Sequence, residues 1–343
     1  MLTDRRRDIL KLIVEDYINS AMPVSSDAIA RRMPVPVSSA TVRNEMAALE
    51  DEGYIAQPHT SAGRVPSDRG YRYFVEFLMP EQNLTVDEQR MIDHQFHQVQ
   101  LDTDQWVRLA AAVLARAAMN VAVITAPKVL DVKLKHIQLV QVQPRLSLLV
   151  MVFDRGLLRQ RFIIVDEEEL SQDDLNRVVN RINAELGGRN LRGIKRKVPA
   201  FDGFEREVVE QLAAEMREVE TPTPEQIIRD GMLNIMAQPE FAQTEKVRQF
   251  MAIFESGRLL EGILAESLAS DGVRVIIGSE NKSDDMRQCS MVLSRYGRDG
   301  EAEGVLGIVG PTRMPYSRVI STVRYTAGIL EDLIHAVYGS DTN

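Results

Sequence analysis

The chain has 343 residues, enough for two or three domains of about 150 residues each, and 44% of them are apolar, so each domain can bury a core. Its 41 Lys and Arg against 50 Asp and Glu give a net charge of −9, which excludes a uniformly basic nucleic-acid coat but not a small basic surface. Arg108 and Arg116 interrupt the longest apolar stretch, so we expect no membrane span. The N-terminus lacks a signal-peptide pattern and the single Cys forms no internal disulfide, so we expect a cytoplasmic protein.

Three helical patterns follow one another at the start of the chain, and prolines separate them. They are predicted from Thr3 to Ser20, from Ser25 or Ser26 to just before Pro34, and from Ser38 to near Gly53. A short strand at 54–57, a turn at 59–63 and a returning strand at 64–65 predict a hairpin, and Ser67 then caps a helix that stops at Pro80. Two helices joined by a tight turn and followed by a hairpin are typical of a winged helix-turn-helix DNA-binding domain.

The local charge of this segment fits that use. Residues 31–44 contain three arginines and no acid, and the hairpin and the turn after it add Arg64, Arg69 and Arg72 against Asp68 alone. Positive charge at these places would lie near the phosphates of a bound duplex.

The third helix offers a side for base recognition. If Val42, Met46 and Leu49 point inward, then at about 100° per residue Ala40, Arg43, Asn44 and Ala47 point largely outward. Arg matches guanine, Asn matches adenine, and a methyl group matches thymine. The predicted DNA-binding residues are Ser38, Ser39, Ala40, Thr41, Arg43, Asn44, His59, Ser61 and Arg64, with the two serines as phosphate contacts or helix caps. A solvated helix face and an ordinary surface turn are the alternatives.

Beyond residue 80 the chain alternates between helical and strand patterns. Helical patterns cover 84–119, 171–186, 204–219, 223–237, 244–270 and 316–338. Strand patterns cover 121–125, 137–142, 146–153, 162–165, 273–278, 291–294 and 304–309, and turn signals between the first runs favour an antiparallel meander. Because helices interrupt a sheet-forming region, we predict an inserted domain. The predicted division is 1–80, 81–187, an insert at 188–270, and 271–343.

Several segments resemble the HrcA family of heat-inducible transcription repressors. They are Glu15–Ile18, Ser39–Met46, Gly53–Ile55, Gln57–Pro66 and Gly70–Tyr73 near the start, and Val273–Gly278, Glu280–Asn281, Cys289–Ser290 and Gly307–Met314 near the end. The resemblance spans nearly the whole chain, although residues 188–243 match less distinctly.

The resemblance implies an α+β multidomain fold. Its parts would be an N-terminal winged helix-turn-helix domain, a GAF-like α/β domain with an antiparallel sheet, and a mainly helical dimerisation domain inserted into the latter. It also implies a homodimer that represses chaperone operons by binding double-stranded DNA at the inverted repeat called CIRCE, with the GroE chaperonin promoting the active form. The family's base-reading positions fall on Ser39–Asn44 and its wing on Gln57–Arg64.

Other residue groups give weak signals for chemistry. His94 and His97 lie three apart on a predicted helix but lack further ligands, and Cys289 has no paired His, so we predict neither a metal nor a nucleophile. The acidic residues at 167–169 and 173–174 fit a solvated loop and helix start, although a cation is the alternative. Gly304, Gly307 and Gly310 do not have the spacing of a phosphate-binding loop. The apolar stripe Phe241, Val247, Phe250, Met251 and Phe254 suits either a core or a dimer surface.

The sequence therefore predicts a repressor without cofactor, metal or catalytic residues. A rival hypothesis is a regulator whose GAF-like domain binds a small molecule that controls DNA affinity. An enzyme with an accessory winged helix is the weakest alternative, because no nucleophile–base or metal-ligand set is present in the pattern.

Overall fold

The computed structural model describes residues 2–59, 63–99, 102–129, 131–154, 157–165, 170–220, 227–241, 245, 247–248, 250–252, 272–298 and 302–338. Side-chain caps set the starts of the first three helices, α1 (Asp4–Ser20), α2 (Ser26–Arg32) and α3 (Ser39–Asp51). The hydroxyls of Thr3, Ser25 and Ser38 accept the backbone N–H groups that the first turn of each helix leaves unpaired. These three predicted helices and their caps are confirmed.

A short antiparallel ribbon follows the helices. Strands β1 (Ile55–Ala56) and β2 (Val65–Pro66) pair with each other, which confirms the predicted hairpin. Helix α4 (Asp68–Tyr73), capped by Ser67, continues into one wider π-helical turn at Phe74–Leu78. The buried side chains of α1, including Ile9, Leu10 and Ile13, provide the core of this segment.

An antiparallel sheet forms the centre of the next region. Its strands are β3 (Val121–Thr125), β8 (Ile227–Asp230), β9 (Val273–Ile277), β10 (Cys289–Gly297) and β11 (Ala302–Pro311), in the spatial order β8-β3-β11-β10-β9. Helices α5 (Val86–His97), α6 (Thr103–Ala118), α10 (Met232–Met236) and α11 (Tyr316–Tyr338) accompany it. Val121, Met291, Val309 and other inward residues form a core with Phe241 and Phe250, so this part of the predicted apolar stripe is core. Phe254 lies outside the described residues.

A second sheet forms separately. Strands β5 (Leu134–Gln143), β6 (Leu146–Phe153) and β7 (Leu158–Ile164) make an antiparallel meander that pairs with no other described strand. Helices α7 (Gln172–Leu186), α8 (Leu191–Lys197) and α9 (Gly203–Glu220) belong with it. Alternate strand residues, such as Leu149, Met151 and Phe153, are buried. Strand β4 (Lys128–Val129) pairs with the first residues of β11.

Contacts divide the chain into two compact units. The first comprises residues 1–125, 227–295 and 305–329, and the second comprises 126–226, 296–304 and 330–343. The chain passes from the first unit to the second near residue 126 and returns near residue 226, and the second unit contains a sheet as well as helices. Residues 227–230 form a strand where the sequence predicts a helix, because β8 pairs along β3. Strand patterns are local and do not specify which sheet a strand joins.

The mixed α+β class with antiparallel sheets is confirmed. Within the described residues, no helix combines the length and apolar character that crossing a bilayer requires. The predicted acidic run at 167–169 lies outside the described residues, as does most of the predicted helix at 244–270.

Candidate nucleic-acid interface

Helix α3 has one buried side and one exposed side. Val42 and Leu49 are fully buried and Met46 is nearly so, as the spacing predicts. On the opposite side Ala40, Arg43, Asn44 and Ala47 are exposed, and we call these four residues the reading face. Within the described part of the chain, neither Arg43 nor Asn44 forms an ion pair or side-chain hydrogen bond. Their donors and acceptors are therefore available to a partner.

The start of α3 has a structural role. The Ser38 hydroxyl caps the helix by accepting the Thr41 N–H at 3.1 Å, and it also hydrogen-bonds to the Thr41 hydroxyl at 2.9 Å. The Ser39 hydroxyl donates to Asp27 and lies 3.2 Å from the Ser26 hydroxyl. The structure shows the predicted capping role for Ser38, whereas Ser39 links α3 to α2.

Two arginines at the end of α2 differ in their contacts. Arg32 forms an ion pair with Asp16 and lies 3.8 Å from a carboxylate oxygen of Glu15, both on α1. Arg31 is exposed and forms no ion pair with a described residue. Arg31 is not among the residues predicted from the sequence to bind DNA, although it lies shortly before the start of α3 and residues 31–44 contain no acid.

The hairpin is held against the helices. The N–H and C=O of Arg64 pair with those of Val24 at 2.9 and 2.8 Å. A side chain on Gly63 would overlap the backbone of Val24, so only glycine permits this approach. The Arg64 guanidinium lies 2.8 Å from a carboxylate oxygen of Glu50 on α3, and its side chain is only 19% exposed. Arg64 therefore joins the hairpin to α3 in this conformation rather than extending into solvent.

The other predicted hairpin residues contribute less. His59 is exposed at the tip, and Ser61 lies outside the described residues. Arg69, after the hairpin, donates to the backbone carbonyl of Glu52 at 2.7 Å and stacks 4.5 Å above the centre of the Tyr54 ring. The cation and ring contact adds to the hydrogen bond in fixing this guanidinium. Arg69 thus closes the C-terminal end of α3, where carbonyl groups lack helical partners.

The remaining candidate groups form no reactive site in the described chain. Cys289 is buried, and burial raises the pKa of its thiol to about 12, so the nucleophilic thiolate is scarce at neutral pH. His94 and His97 are exposed, and no cluster of three metal-ligating side chains occurs among the described residues. Gly304, Gly307 and Gly310 lie within strand β11 rather than in a loop. A side chain on Gly307 would press on Leu293 and on the Val292 carbonyl of β10, so close strand packing accounts for this glycine.

The chemistry available at the interface therefore comes from the reading face. A helix with its inner side buried and its outer side bearing Arg, Asn and methyl groups can place hydrogen-bond donors, an amide and apolar contacts against base edges. Small residues at positions 40 and 47 allow the helix to approach closely. Recognition without covalent chemistry is what this set of groups supports.

Comparison with known proteins identifies the family to which this chain belongs. A sequence profile described as "HrcA protein C terminal domain" matches residues 104–320. The heat-inducible transcription repressors HrcA of Herpetosiphon aurantiacus and Roseiflexus castenholzii are 45% and 44% identical to this chain, over 98% of it and 97% and 96% of their own lengths. A solved structure described as "Crystal structure of a hypothetical protein at 2.2 A resolution" shares the fold, with a TM-score of 0.60 and 23% identity over 98% of this chain and all of that one. The chain belongs to the HrcA family of heat-inducible transcription repressors.

Proposed function

We propose that this chain represses transcription as a homodimer whose two winged helix-turn-helix domains bind the halves of an inverted-repeat operator of the CIRCE type. The observation that carries the proposal is the difference between the two sides of α3, with Val42 and Leu49 buried and Arg43 and Asn44 exposed without partners among the described residues. In this arrangement α2 and α3 form the helix-turn-helix and the β1–β2 ribbon is the wing.

Base recognition is assigned to the reading face. Arg43 is placed to donate two hydrogen bonds to the O6 and N7 atoms of guanine, and Asn44 to pair with adenine. The methyl of Ala40 suits a thymine methyl group. Arg31 precedes α3, is exposed, and forms no ion pair with a described residue, so we assign it to a phosphate. A guanidinium that binds a phosphate displaces counterions from the DNA backbone, which favours binding.

The dimer surface is assigned to the outer side of the β5–β7 sheet. Every second residue of these strands faces away from the buried side, and those with large exposed apolar side chains are Val140, Val142, Leu158, Phe162 and Ile164. Val140, Leu148 and Phe162 lie side by side across the three strands. Apart from Lys135, at the bulge near the start of β5, the outward positions of the three strands hold no Lys, Arg, Asp or Glu, so a second copy can face the first with little repulsion between like charges. An exposed apolar sheet of this kind favours association over solvation.

Repression follows from occupation of a promoter by this dimer. The GroE chaperonin is assigned the role of favouring the DNA-competent state, because a partner that binds only one state raises its population. When heat-unfolded proteins occupy the chaperonin, less of it is left to bind the repressor, and the repressor then dissociates from the operator. We place the protein in the cytoplasm, where this partner and the DNA are found, and assign the β3–β11 sheet with its helices to a GAF-like domain.

The test is a fluorescence-anisotropy titration against a CIRCE-type inverted repeat and a scrambled duplex, over a range of salt concentrations, with and without chaperonin. We expect tighter binding to the repeat and a similar salt dependence for both duplexes, because phosphate contacts are common to both. Equal, weak binding to both duplexes in the presence of chaperonin would contradict the operator assignment and favour a ligand-responsive regulator. A thermal-shift screen would then identify a small molecule that raises the midpoint with its concentration.

A further inference from the structure

Segments that are distant in sequence meet where α4 and the end of α1 contact the β9–β10 side of the larger sheet. On one side are Asp68–Tyr73 and the last turn of α1, and on the other are the turn at 278–281, the end of β9, and residues 311–316. All of them lie in the first compact unit. We call this set of contacts the junction. None of its residues belongs to the reading face.

One arginine fixes α4 to the turn after β9. The Arg72 Nε donates to one carboxylate oxygen of Glu280 at 2.7 Å, and Nη2 donates to the other and to the Val275 carbonyl, the latter at 2.7 Å. This planar, two-point contact defines both distance and direction, which a single point charge does not. The Ile277 N–H donates to the same carboxylate at 2.8 Å, so Glu280 is itself held in place.

A second contact lies one turn earlier on α4. The Asp68 carboxylate accepts the backbone N–H of Ser279 at 2.8 Å. Gly278 has a φ of +47°, and a side chain there would overlap the Asp68 carboxylate. Glycine at this position thus permits both the left-handed backbone and the close approach. Asn281, which is buried, donates to the carbonyls of Gly278, Met286 and Cys289 and keeps the turn closed.

A second arginine fixes the end of α1. Arg313 donates to the Ile18 carbonyl at 2.6 Å, to Glu240 at 2.6 Å and to Gln238 at 2.8 Å, and its side chain is only 12% exposed. The Ile18 carbonyl is among the last four of α1 and has no partner within the helix. Arg313 therefore connects this helix end to residues that follow α10.

Apolar contact accompanies the two arginines. Tyr71 on α4 is buried, and its ring lies 5.9 Å from that of Tyr316 at the start of α11. The Tyr316 hydroxyl hydrogen-bonds to the Ser290 hydroxyl at 2.9 Å and donates to the Thr312 carbonyl at 2.7 Å. The N-terminal segment is thus attached to the larger sheet by directional contacts on both α1 and α4 and by buried rings, so it has little freedom to rotate against that sheet.

The junction affects DNA recognition by setting the orientation of α3, not by covering the reading face. The contacts of the junction leave the reading face exposed, so they do not prevent DNA from reaching α3. A two-fold dimer binds both halves of an inverted repeat only when its two recognition helices match the spacing and rotation of the half-sites, about one helical turn or a multiple of it. The more rigidly each domain is held, the more narrowly the dimer defines that spacing.

We propose that Arg72 and Arg313 are positioning residues that fix the DNA-binding domain on the larger sheet and thereby set the half-site spacing that the repressor accepts. This inference rests on the proposed function, because it requires a dimer on an inverted repeat. The arginines touch no DNA. They act by holding α4 and α1, and so the direction in which each α3 points.

The test compares operators that differ only in the number of base pairs between the half-sites, together with a duplex that carries one half-site. The variants are Arg72→Ala, Arg313→Ala and the milder Glu280→Gln. The control is Arg90→Ala, which removes an arginine that lies on α5, outside the junction, and whose side chain is 78% exposed. Full-length proteins are compared by anisotropy, after circular dichroism has shown that each retains the helical content of the unsubstituted protein.

We expect the unsubstituted protein and Arg90→Ala to prefer one spacing by about 100-fold over a spacing changed by half a helical turn, since simultaneous engagement is lost there. All three junction variants should keep the same affinity for the single half-site. The spacing preference should fall by about tenfold or more for Arg72→Ala and Arg313→Ala, and by less for Glu280→Gln. The double variant Arg72→Glu with Glu280→Arg should recover part of the preference, because the pair is restored in reverse.

Other outcomes separate the two proposals. Junction variants that keep the spacing preference, or that lose half-site affinity in proportion to repeat affinity, would overturn the positioning role. If the unsubstituted protein itself does not prefer the repeat to a scrambled duplex, then the proposed function has failed, which is a different result from the failure of the junction.

Discussion

Two groups of arginines in the N-terminal segment differ in what their side chains contact. Arg31 and Arg43 are exposed and form no ion pair with a described residue. Arg64, Arg69 and Arg72 each donate to a carboxylate or a backbone carbonyl of this chain. An arginine of the second group must give up an existing hydrogen bond before it binds DNA, so its net contribution to affinity is smaller.

The comparison shows why local charge is an incomplete guide to a DNA surface. The sequence alone suggests that both groups supply positive charge to phosphates, and in the structure only the first group has guanidinium groups without ion pairs to described residues. The second group instead holds the parts that carry the first, with Arg64 between the hairpin and α3 and Arg72 between α4 and Glu280. The predictions below test whether this division of roles is correct.

Gly63→Ala should have the largest effect, because it displaces the hairpin that carries Arg64. The added methyl would overlap the Val24 backbone, and overpacking of this kind costs about 3 kcal/mol of stability. Denaturation by urea, followed by circular dichroism, measures the loss. The control is Gly328→Ala on an exposed position of α11 with open space around it, which should be neutral or stabilise by up to about 1 kcal/mol. Similar stabilities for the two variants would show that the hairpin tolerates displacement.

Arg43→Ala should weaken operator binding by about 1 to 3 kcal/mol and relax the preference for one base pair, because Arg43 is assigned to a base edge. Titrations against the operator and a set of single-base variants measure both changes. Arg90→Ala removes the same charge from an exposed site on α5 and should change neither. Equal weakening on every sequence would instead assign Arg43 to a phosphate.

Much of the N-terminal segment was predictable from sequence, since its signals are local. Thr3, Ser25 and Ser38 cap helices where the pattern places them, and the inward and outward sides of α3 follow from the helical period. The distant contacts were not predictable. Glu50 and Arg64 are fourteen residues apart, and Arg72 and Glu280 are separated by more than two hundred, so no local pattern reveals that these groups meet.

The same limit applies to the assignment of strands to sheets. The strands at 146–153 and 121–125 were predicted correctly, yet they belong to different sheets. Both runs are rich in β-branched and apolar residues, and such composition indicates a strand without indicating its neighbours. Residues 227–230 read as helix because Ile-Ile-Arg-Asp is too short to show a period. The pairing of β8 with β3 decides its conformation.

Arg64→Ala should affect stability but not the number of phosphate contacts. Its pair with Glu50 is part-buried, so we expect a coupling of about 1 kcal/mol in a double-mutant cycle with Glu50→Ala. The slope of log affinity against log salt should stay unchanged for Arg64→Ala, whereas Arg31→Ala should reduce it by about 0.9 for each protomer, or about 1.8 for the dimer on the full repeat. A reduced slope for Arg64→Ala would place its guanidinium on a phosphate and move Arg64 into the first group.

Glu280→Gln should give the smallest effect, and its dependence on pH should distinguish the two groups of arginines. Burial alone would raise the pKa of Glu280, but the hydrogen bonds from Arg72 and from the Ile277 N–H outweigh it, so the pKa lies below the ordinary 4.5. A carboxyl whose pKa is lowered on folding adds stability that is complete above its unfolded pKa and is lost as the pH falls through the lower, folded value.

The stability difference between the unsubstituted protein and Glu280→Gln should therefore be full above pH 4.5 and shrink in more acidic solution. Since the Glu280 side chain is 35% exposed, solvent screening limits the full difference to below about 1 kcal/mol. Urea denaturation at a series of pH values measures it, with the exposed Glu210→Gln as the matched control. Arg43→Ala should show no such acid dependence, because Arg43 has no carboxylate partner among the described residues. If Glu280→Gln instead gives a difference that grows as the pH falls, the Arg72 contact does not stabilise the folded chain in solution, and the distinction between free and engaged arginines loses its physical basis.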